Sequence, residues 1–396
     1  MTHEPVRGWR EELRDLAGEL GRRVRHAADR LKRRVDSDPY CILGYRGYGT
    51  EERALVLGRV LEDEGHLPPD PAHSALRNLI DAIKRIESDP LPFARVRAHL
   101  GGAAHEIEAD DEGFLRGWVP TAAAVAPGWH QVDLALPDDS AIAAAPGTAE
   151  VLVPSPEARF GVVSDMDDTV LQSEVTRLVR AARLVLLKNA RTRLPFPGVA
   201  AFYRALAAGT GSSPANPIFY VSKSPWNLYQ VIADFIAHQE LPAGPLLLRD
   251  WDFGLPGRQR MEHKATAIAE ILATYPGLPF ILIGDSGQRD PEIYRALLHD
   301  HPGRIPAIYI RNVSSDPERT RAIRTLAAEV TEAGSALVLA DDTLAAARHA
   351  AEHGWMDRSR LEDVAGDKQA DEGASGEKVA LPGAPPPGSG PTIVVE

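Results

Sequence analysis

The sequence predicts an α/β protein: a doubly wound parallel sheet preceded by a small β-sandwich domain and an N-terminal helix. Three observations lead there. Beyond residue 159, apolar runs at 161–164, 218–221, 246–248, 280–283, 307–310 and 336–340 are each followed by a helical stretch. That alternation is how a parallel sheet covered on both faces reads in a sequence. Between 38 and 155 the texture is short apolar segments broken by Gly and Pro, which is the texture of strands. Residues 6–35 carry Val6, Trp9, Leu13, Leu16, Leu20, Val24, Ala27, Leu31 and Val35 at spacings of three or four, the mark of an amphipathic helix.

The elements divide into an N-terminal helix over 1–37, a sandwich-like domain over 38–155, a doubly wound domain over 156–356 and a disordered tail over 357–396. In the first helix the acids (Glu11, Glu12, Asp15, Glu19) come early and the bases (Arg30, Lys32, Arg33, Arg34) late, an order that suits the helix dipole. Its basic end fits either an anionic membrane surface or a solvated face of a helix docked on its own protein. In the sandwich region the turn 110–113 separates two strand-like runs, and Val132, Leu134 and Leu136 fall on one face. Residues 72–87 interrupt it with helical spacing at Leu76, Leu79, Ile80 and Ile83. Between Thr169 and Ile218 there is room for helices over 175–188 and 198–207 and no inserted cap, so a site on this sheet is expected to be open on top unless the sandwich domain covers it. The stretch 175–188 interleaves Arg177, Arg180, Arg183 and Lys188 with Leu184, Val185 and Leu187, which suits a membrane surface or simple burial against the sheet. Beyond 357 the chain is acidic, small and rich in Pro and Gly, with too little apolar surface to fold.

Composition excludes several functions. With 44 Lys and Arg against 56 Asp and Glu, the net charge of −12 opposes nonspecific binding to nucleic acid. No apolar run approaches the roughly 20 residues of a membrane-crossing helix. The N-terminus runs straight into a charged helical pattern without a signal core, and the single cysteine, Cys41, supports neither an internal disulfide nor a thiolate metal cluster. A cytoplasmic protein is expected, peripheral at most to the inner face of the membrane, and any metal must be held by carboxylates or histidines.

The chemistry concentrates at strand ends. The run 160–165 ends in Asp165, with Asp167 two residues on, so both carboxylates leave the carboxyl end of a parallel strand on one side, where such sheets hold ligands. A second run, 280–283, ends in Gly284 and Asp285, with Asp290 close behind. Asp165, Asp167, Asp285 and Asp290 together offer the all-oxygen ligands that a hard divalent cation such as magnesium takes, although Asp290 equally suits the start of a helix. A third strand end carries Ser222, Ser224, Pro225 and Trp226 ahead of an expected helix N-terminus, a place that binds anions. Ser224 fits a helix cap as well as a ligand. Lys264, ahead of a helical run, would neutralise a bound phosphate. Ser222, Ser224, Trp226 and Lys264 are the substrate-binding candidates.

The segments around Asp165-Met166-Asp167-Asp168-Thr169, Ser222, Lys264 and Gly284-Asp285 with Asp290 resemble the four ordered motifs of the haloacid dehalogenase superfamily of phosphohydrolases. Residues 220–229 and 284–294 resemble, more narrowly, the actin-patch-associated, magnesium-dependent phosphatidate phosphatase family, and the turns at 45–49 and 113–114 resemble the domain preceding the catalytic one in bacterial members. The resemblance implies a haloacid dehalogenase-like sheet with little or no cap, and a peripheral enzyme that hydrolyses a phosphomonoester, phosphatidate above all. It implies Asp165 as a nucleophile forming an aspartyl phosphate and Asp167 as general acid and then base. It also implies magnesium held by Asp165, Asp167 and Asp285 with Asp290 in support, and a phosphoryl group held by Ser222 and Lys264. The alternatives are a phosphatase acting on protein or polynucleotide phosphates, or a non-enzymatic lipid- or protein-binding adaptor.

Overall fold

A computed structural model describes residues 39–63, 89–140, 142–166, 197–211, 216–249, 257–376 and 393–395. The helices expected over 6–35, 72–87 and 175–188 lie outside the described residues, as does Asp167.

The first eight strands are β1 (Tyr40–Gly49), β2 (Arg53–Glu62), β3 (Arg95–Leu100), β4 (Ala103–Glu108), β5 (Phe114–Pro120), β6 (Gly128–Ala135), β7 (Ala144–Ala145) and β8 (Gly147–Val153). They form one sheet in the order β4-β3-β6-β8-β1-β2-β5, with β7 paired to β1. β1 runs parallel to β7 and β8, and the remaining pairs are antiparallel. The two outer strands curl toward each other, so that a Cβ added at Gly117 on β5 would lie 3.0 Å from the Ile107 side chain on β4. The strands enclose Ile42, Val56, Val60, Val96, Ala98, Val132, Leu134 and Val151.

Seven further strands are β9 (Gly161–Asp165), β10 (Ile218–Pro225), β11 (Leu246–Arg249), β12 (Phe280–Asp285), β13 (Ala307–Arg311), β14 (Ala336–Ala340) and β15 (Ile393–Val395). They form a separate sheet, β11-β10-β9-β12-β13-β14-β15, parallel except for β15, which runs antiparallel along β14. Its helices are α1 (Val199–Ala208), α2 (Tyr229–His238), α3 (Gly257–Thr274), α4 (Asp290–Asp300), α5 (Pro317–Glu332), α6 (Thr343–Glu352) and α7 (Leu361–Gly376). Asp316 and Asp342 cap α5 and α6, accepting hydrogen bonds from the Glu318 and Ala345 amides at 2.9 Å each.

These observations correct the expected fold class. The N-terminal strands make a mixed, nearly barrel-closed sheet and not a two-sheet sandwich, and beside it stands a separate sheet with an antiparallel edge, not a doubly wound haloacid dehalogenase-like sheet. Period-two patterning marks the buried face of a strand. It does not distinguish a sheet facing a second sheet from one closing on itself, and the parallel β1–β8 pair joins strands a hundred residues apart. The tail beyond 357 is also corrected, since it contributes α7. Asp371 and Asp367 on that helix accept hydrogen bonds from the Gly198 and Ala201 amides at 2.8 and 3.0 Å, giving the uncapped start of α1 its acceptors.

The outer face of the first sheet is covered over β1, β2 and β5, while outward positions on β3, β4 and β6 are exposed. Tyr45, Tyr48, Leu55, Leu57 and Phe114 belong to the same core as the second sheet. Tyr48 is fully buried, edge-on to Trp118 and Phe219 at 5.8 and 5.5 Å between ring centres, while the Tyr275 hydroxyl donates to the Gly49 carbonyl at 2.9 Å. A shared core implies shared unfolding. Tyr48→Ala is expected to cost about 3–5 kcal/mol and to lower one cooperative transition for both sheets. Denaturant titration followed by tryptophan fluorescence and circular dichroism checks this, and two separate transitions in the unsubstituted protein would contradict it.

Candidate functional site

Strand register brings the chemistry together. β9 lies between β10 and β12, with Val221 beside Asp165 and Ile283 beside Ser164. Asp165, Ser222 and the Gly284–Asp285 pair therefore emerge at one carboxyl edge of the sheet. Asp165, Asp285 and Asp290 each present a carboxylate oxygen within 4.8 Å of the others, and all three residues are buried. Lys264, fully buried on α3, completes the cluster: its ammonium lies 2.8 Å from Asp165 Oδ1 and also pairs with Asp290 Oδ1.

Local chemistry fixes each acid. Asp285 Oδ1 accepts the Gly287 and Gln288 amides at 2.8 and 3.0 Å, closing the turn that follows β12. Asp290 begins α4, but its carboxylate turns back, and Oδ2 accepts the Asp285 amide at 3.1 Å. Gly284 makes this possible through space: a Cβ there would lie 2.4 Å from Asp290 Oδ2 and 2.7 Å from its Cβ. Behind Asp165, the Ser164 hydroxyl donates to the Asp165 carbonyl at 3.1 Å and shares a 2.7 Å hydrogen bond with Tyr203. The Tyr294 hydroxyl donates to the Ile283 carbonyl at 3.0 Å, and its ring lies 5.8 Å from the Lys264 ammonium.

Charge dominates this cluster. Among the described residues three buried carboxylates gather around the Lys264 ammonium, and burial, reinforced by Asp165, pushes the Asp290 carboxyl up from its ordinary value of 3.8 to about 6. Buried charge of one sign is costly unless a partner offsets it. The donor set is all oxygen, convergent and net negative, which fits a hard divalent cation.

Ser222 is buried at the edge of the cluster, its hydroxyl accepting the Ser224 amide at 3.0 Å. The helix N-terminus expected after Ser224 is absent. β10 continues to Pro225, a single 3-10 turn spans Trp226–Leu228, and α2 begins only at Tyr229. Ser224 is buried and caps no helix. Trp226 is drawn toward the first sheet, where its ring stacks on Tyr45 at 5.6 Å and lines a cavity of about 370 Å³ with Leu57, Phe93, Phe114 and Leu115.

Sequence reasoning missed two arginines. Arg59, on β2, donates to the Asn227 side chain at 3.0 Å and the Glu112 carbonyl at 3.1 Å, its guanidinium 4.3 Å from the centre of the Phe114 ring. It anchors the loop beyond Ser222, and a charge inside the apolar run 54–61 is the signal that marks it. Arg319, on α5, braces the 285–292 segment, and no motif announces it.

Residues 160–312 match the family described as "Phosphatidate phosphatase APP1, catalytic domain". Phosphatidate phosphatase APP1 of Saccharomyces cerevisiae is 32% identical over 160 residues, 39% of this chain and 26% of the yeast protein. An uncharacterized protein of Schizosaccharomyces pombe is 27% identical over 163 residues, 40% of this chain and 26% of that protein. This chain thus spans about a quarter of the length of the curated relatives it matches. Among solved structures, a carbohydrate acetylesterase from Xanthomonas citri aligns over 72% of each chain at 11% identity with a TM-score of 0.23, too low for any argument.

The raised Asp290 pKa has a thermodynamic consequence. Between the unfolded value of 3.8 and the folded value of about 6 the native state holds the extra proton, so this group's contribution to stability is complete below 3.8 and is lost as pH rises through 6. In metal-free protein, the unsubstituted chain is expected to lose stability relative to Asp290→Asn as pH rises through 6, because the amide has no proton to lose there. This relative loss should be largest at pH 7.5 and shrink toward pH 4.5. Thermal denaturation of both proteins across this range checks it, and a difference independent of pH would contradict it.

Proposed function

We propose, from the membership of residues 160–312 in the APP1 phosphatidate phosphatase catalytic family, that this protein is a magnesium-dependent phosphoric monoester hydrolase acting on phosphatidate. The observation that carries the reading is the buried cluster of Asp165, Asp285 and Asp290 around Lys264, all within the matched segment. Asp165, Asp285 and Asp290 would hold the cation, with Asp167 contributing from the segment that follows β9. Bound there, magnesium offsets the charge between a dianionic phosphate and the acids.

Asp165 acts as the nucleophile. One of its oxygens attacks phosphorus, the bond to the diacylglycerol oxygen breaks, and Asp167 donates a proton to that leaving oxygen. An aspartyl phosphate remains on Asp165. Asp167, now ionised, takes a proton from water, whose oxygen attacks phosphorus and releases inorganic phosphate and the free Asp165 carboxylate. Lys264 and Ser222 hold the phosphoryl oxygens. The depth of the cluster favours this division of labour, because a buried ammonium interacts with a transferring phosphoryl group more strongly than one in water does.

A diacyl substrate resides in a bilayer, so the enzyme must work at an interface. Among the described residues no helix is long and apolar enough to cross a membrane. The basic and apolar stretches at 6–35 and 175–188 supply attraction to an anionic surface, worth roughly 1 kcal/mol per basic side chain.

A phosphate-release assay against phosphatidate, lysophosphatidate, phosphopeptides, oligonucleotide ends and a soluble phosphate ester tests the reading. Phosphatidate in vesicles is expected to be the preferred substrate, with activity lost on chelation, restored by magnesium and weakened by salt for vesicles alone. Asp165→Asn is expected to lower turnover by a factor on the order of 10³ or more with the fold intact, since the amide keeps the shape and cannot attack phosphorus. Preference for phosphopeptides, or turnover by Asp165→Asn near the unsubstituted rate, would contradict it.

A further inference from the structure

We propose that Arg319 is a positioning residue, holding the 285–290 turn in the conformation that receives the divalent cation. The inference rests on the reading above that Asp285 and Asp290 hold the cation. Arg319 lies seven residues beyond the segment matched by the family, on α5, and its guanidinium spans the acidic turn from outside. Nε donates to the Ser286 carbonyl at 2.9 Å, Nη2 donates to the Gln288 carbonyl, and Nη1 and Nη2 form a forked pair with Glu292, the Nη2–Oε2 arm at 3.1 Å. One planar group thereby ties down both backbone carbonyls that flank Gly287 and the first turn of α4, which carries Asp290. A second tether acts on the same turn: the Ser286 hydroxyl accepts the Val313 and Ser314 amides at 2.9 and 3.0 Å. The far side of the turn meets the phosphate-side strand, where the Lys223 ammonium pairs with the Gln288 side chain.

Two effects of Arg319 on cation binding have opposite signs, and this makes the proposal testable. Its positive charge lies within the fields of Asp285 and Asp290 and repels an arriving cation. Its forked bonds keep the turn from relaxing, so that Asp285 and Asp290 need not be reorganised when the cation binds. If charge dominates, removing it tightens magnesium binding; if the brace dominates, removing it loosens binding. Outer-shell partners of metal ligands commonly alter affinity by 10–100-fold, more than one partly exposed charge does through solvent, so the brace is expected to win.

The experiment is calorimetric titration of the purified full-length protein with magnesium chloride, comparing the unsubstituted chain with Arg319→Gln, Arg319→Lys and Arg295→Gln. Arg295 pairs with Glu329 at 3.0 Å between the same two helices, α4 and α5, without touching the turn, so its variant measures loss of helix packing alone. Arg319→Gln is expected to bind magnesium about tenfold more weakly. Arg319→Lys, which keeps the charge and loses the fork, should weaken binding too, and Arg295→Gln should leave it unchanged. Turnover of Arg319→Gln on a soluble phosphate ester should return toward the unsubstituted rate at saturating magnesium. Tighter binding by Arg319→Gln, or binding unchanged in both Arg319 variants, overturns the proposal, and Arg319→Lys alone decides it if Arg319→Gln does not fold. An unsubstituted chain that binds no magnesium overturns the cation reading and the proposal together, whereas normal binding in every variant overturns the proposal and leaves that reading standing.

Discussion

The structure is organised around an imbalance of charge held out of water. Among the described residues, Asp165, Asp285 and Asp290 gather around the Lys264 ammonium at the carboxyl edge of the second sheet. Like charges at such distances repel strongly wherever the dielectric constant is low, and the surrounding backbone holds the acids together against that repulsion. Each neighbouring feature contributes to that. Gly284 leaves room for the Asp290 carboxylate, the Asp285 amide holds it, and the turn amides hold Asp285. The Ser164–Tyr203 pair fixes the end of β9 from below. An arrangement this costly to stability marks a candidate functional site.

The first sheet takes part in the same design. Its strands contribute Tyr45 to an aromatic stack with Trp226 and Tyr229, while the Arg46 amide donates to the Tyr229 hydroxyl at 2.6 Å. Arg59 clasps Asn227 in the same loop. The chain leaving Ser222 is therefore held on one side by its own sheet and on the other by the nearly closed one. A change at Tyr45 or Arg59 thus acts on the loop beyond Ser222 as well as on the shared core.

Much of the site was legible in the sequence because strand ends are local. An apolar run ending in Asp165, another ending in Gly284–Asp285 and a third ending in Ser222 need only the rule that parallel sheets collect ligands at their carboxyl edges. Lys264 required more, since it reaches the cluster from a helix and only the fold shows the meeting. The place of Trp226 was not legible for a tertiary reason: its ring stacks on Tyr45 of the first sheet, a contact between segments far apart in the chain. The sandwich failed because closure of a sheet is a global property, and the tail beyond 357 failed because sparse apolar residues such as Val364 suffice when carboxylates like Asp367 and Asp371 cap another helix. Arg319 and Arg59 were invisible for a related reason, as each acts across a contact between segments far apart in the chain.

The central claim is that the buried acids form a phosphoryl-transfer centre in which Asp165 carries the phosphoryl group. Its most direct test is acid quenching during turnover of phosphatidate, followed by peptide mass spectrometry. A single added phosphoryl group on the peptide containing Asp165, present with magnesium and absent after chelation, is the predicted result. Hydrolysis that proceeds with no phosphoryl group on Asp165, or with one on a different residue, would contradict it.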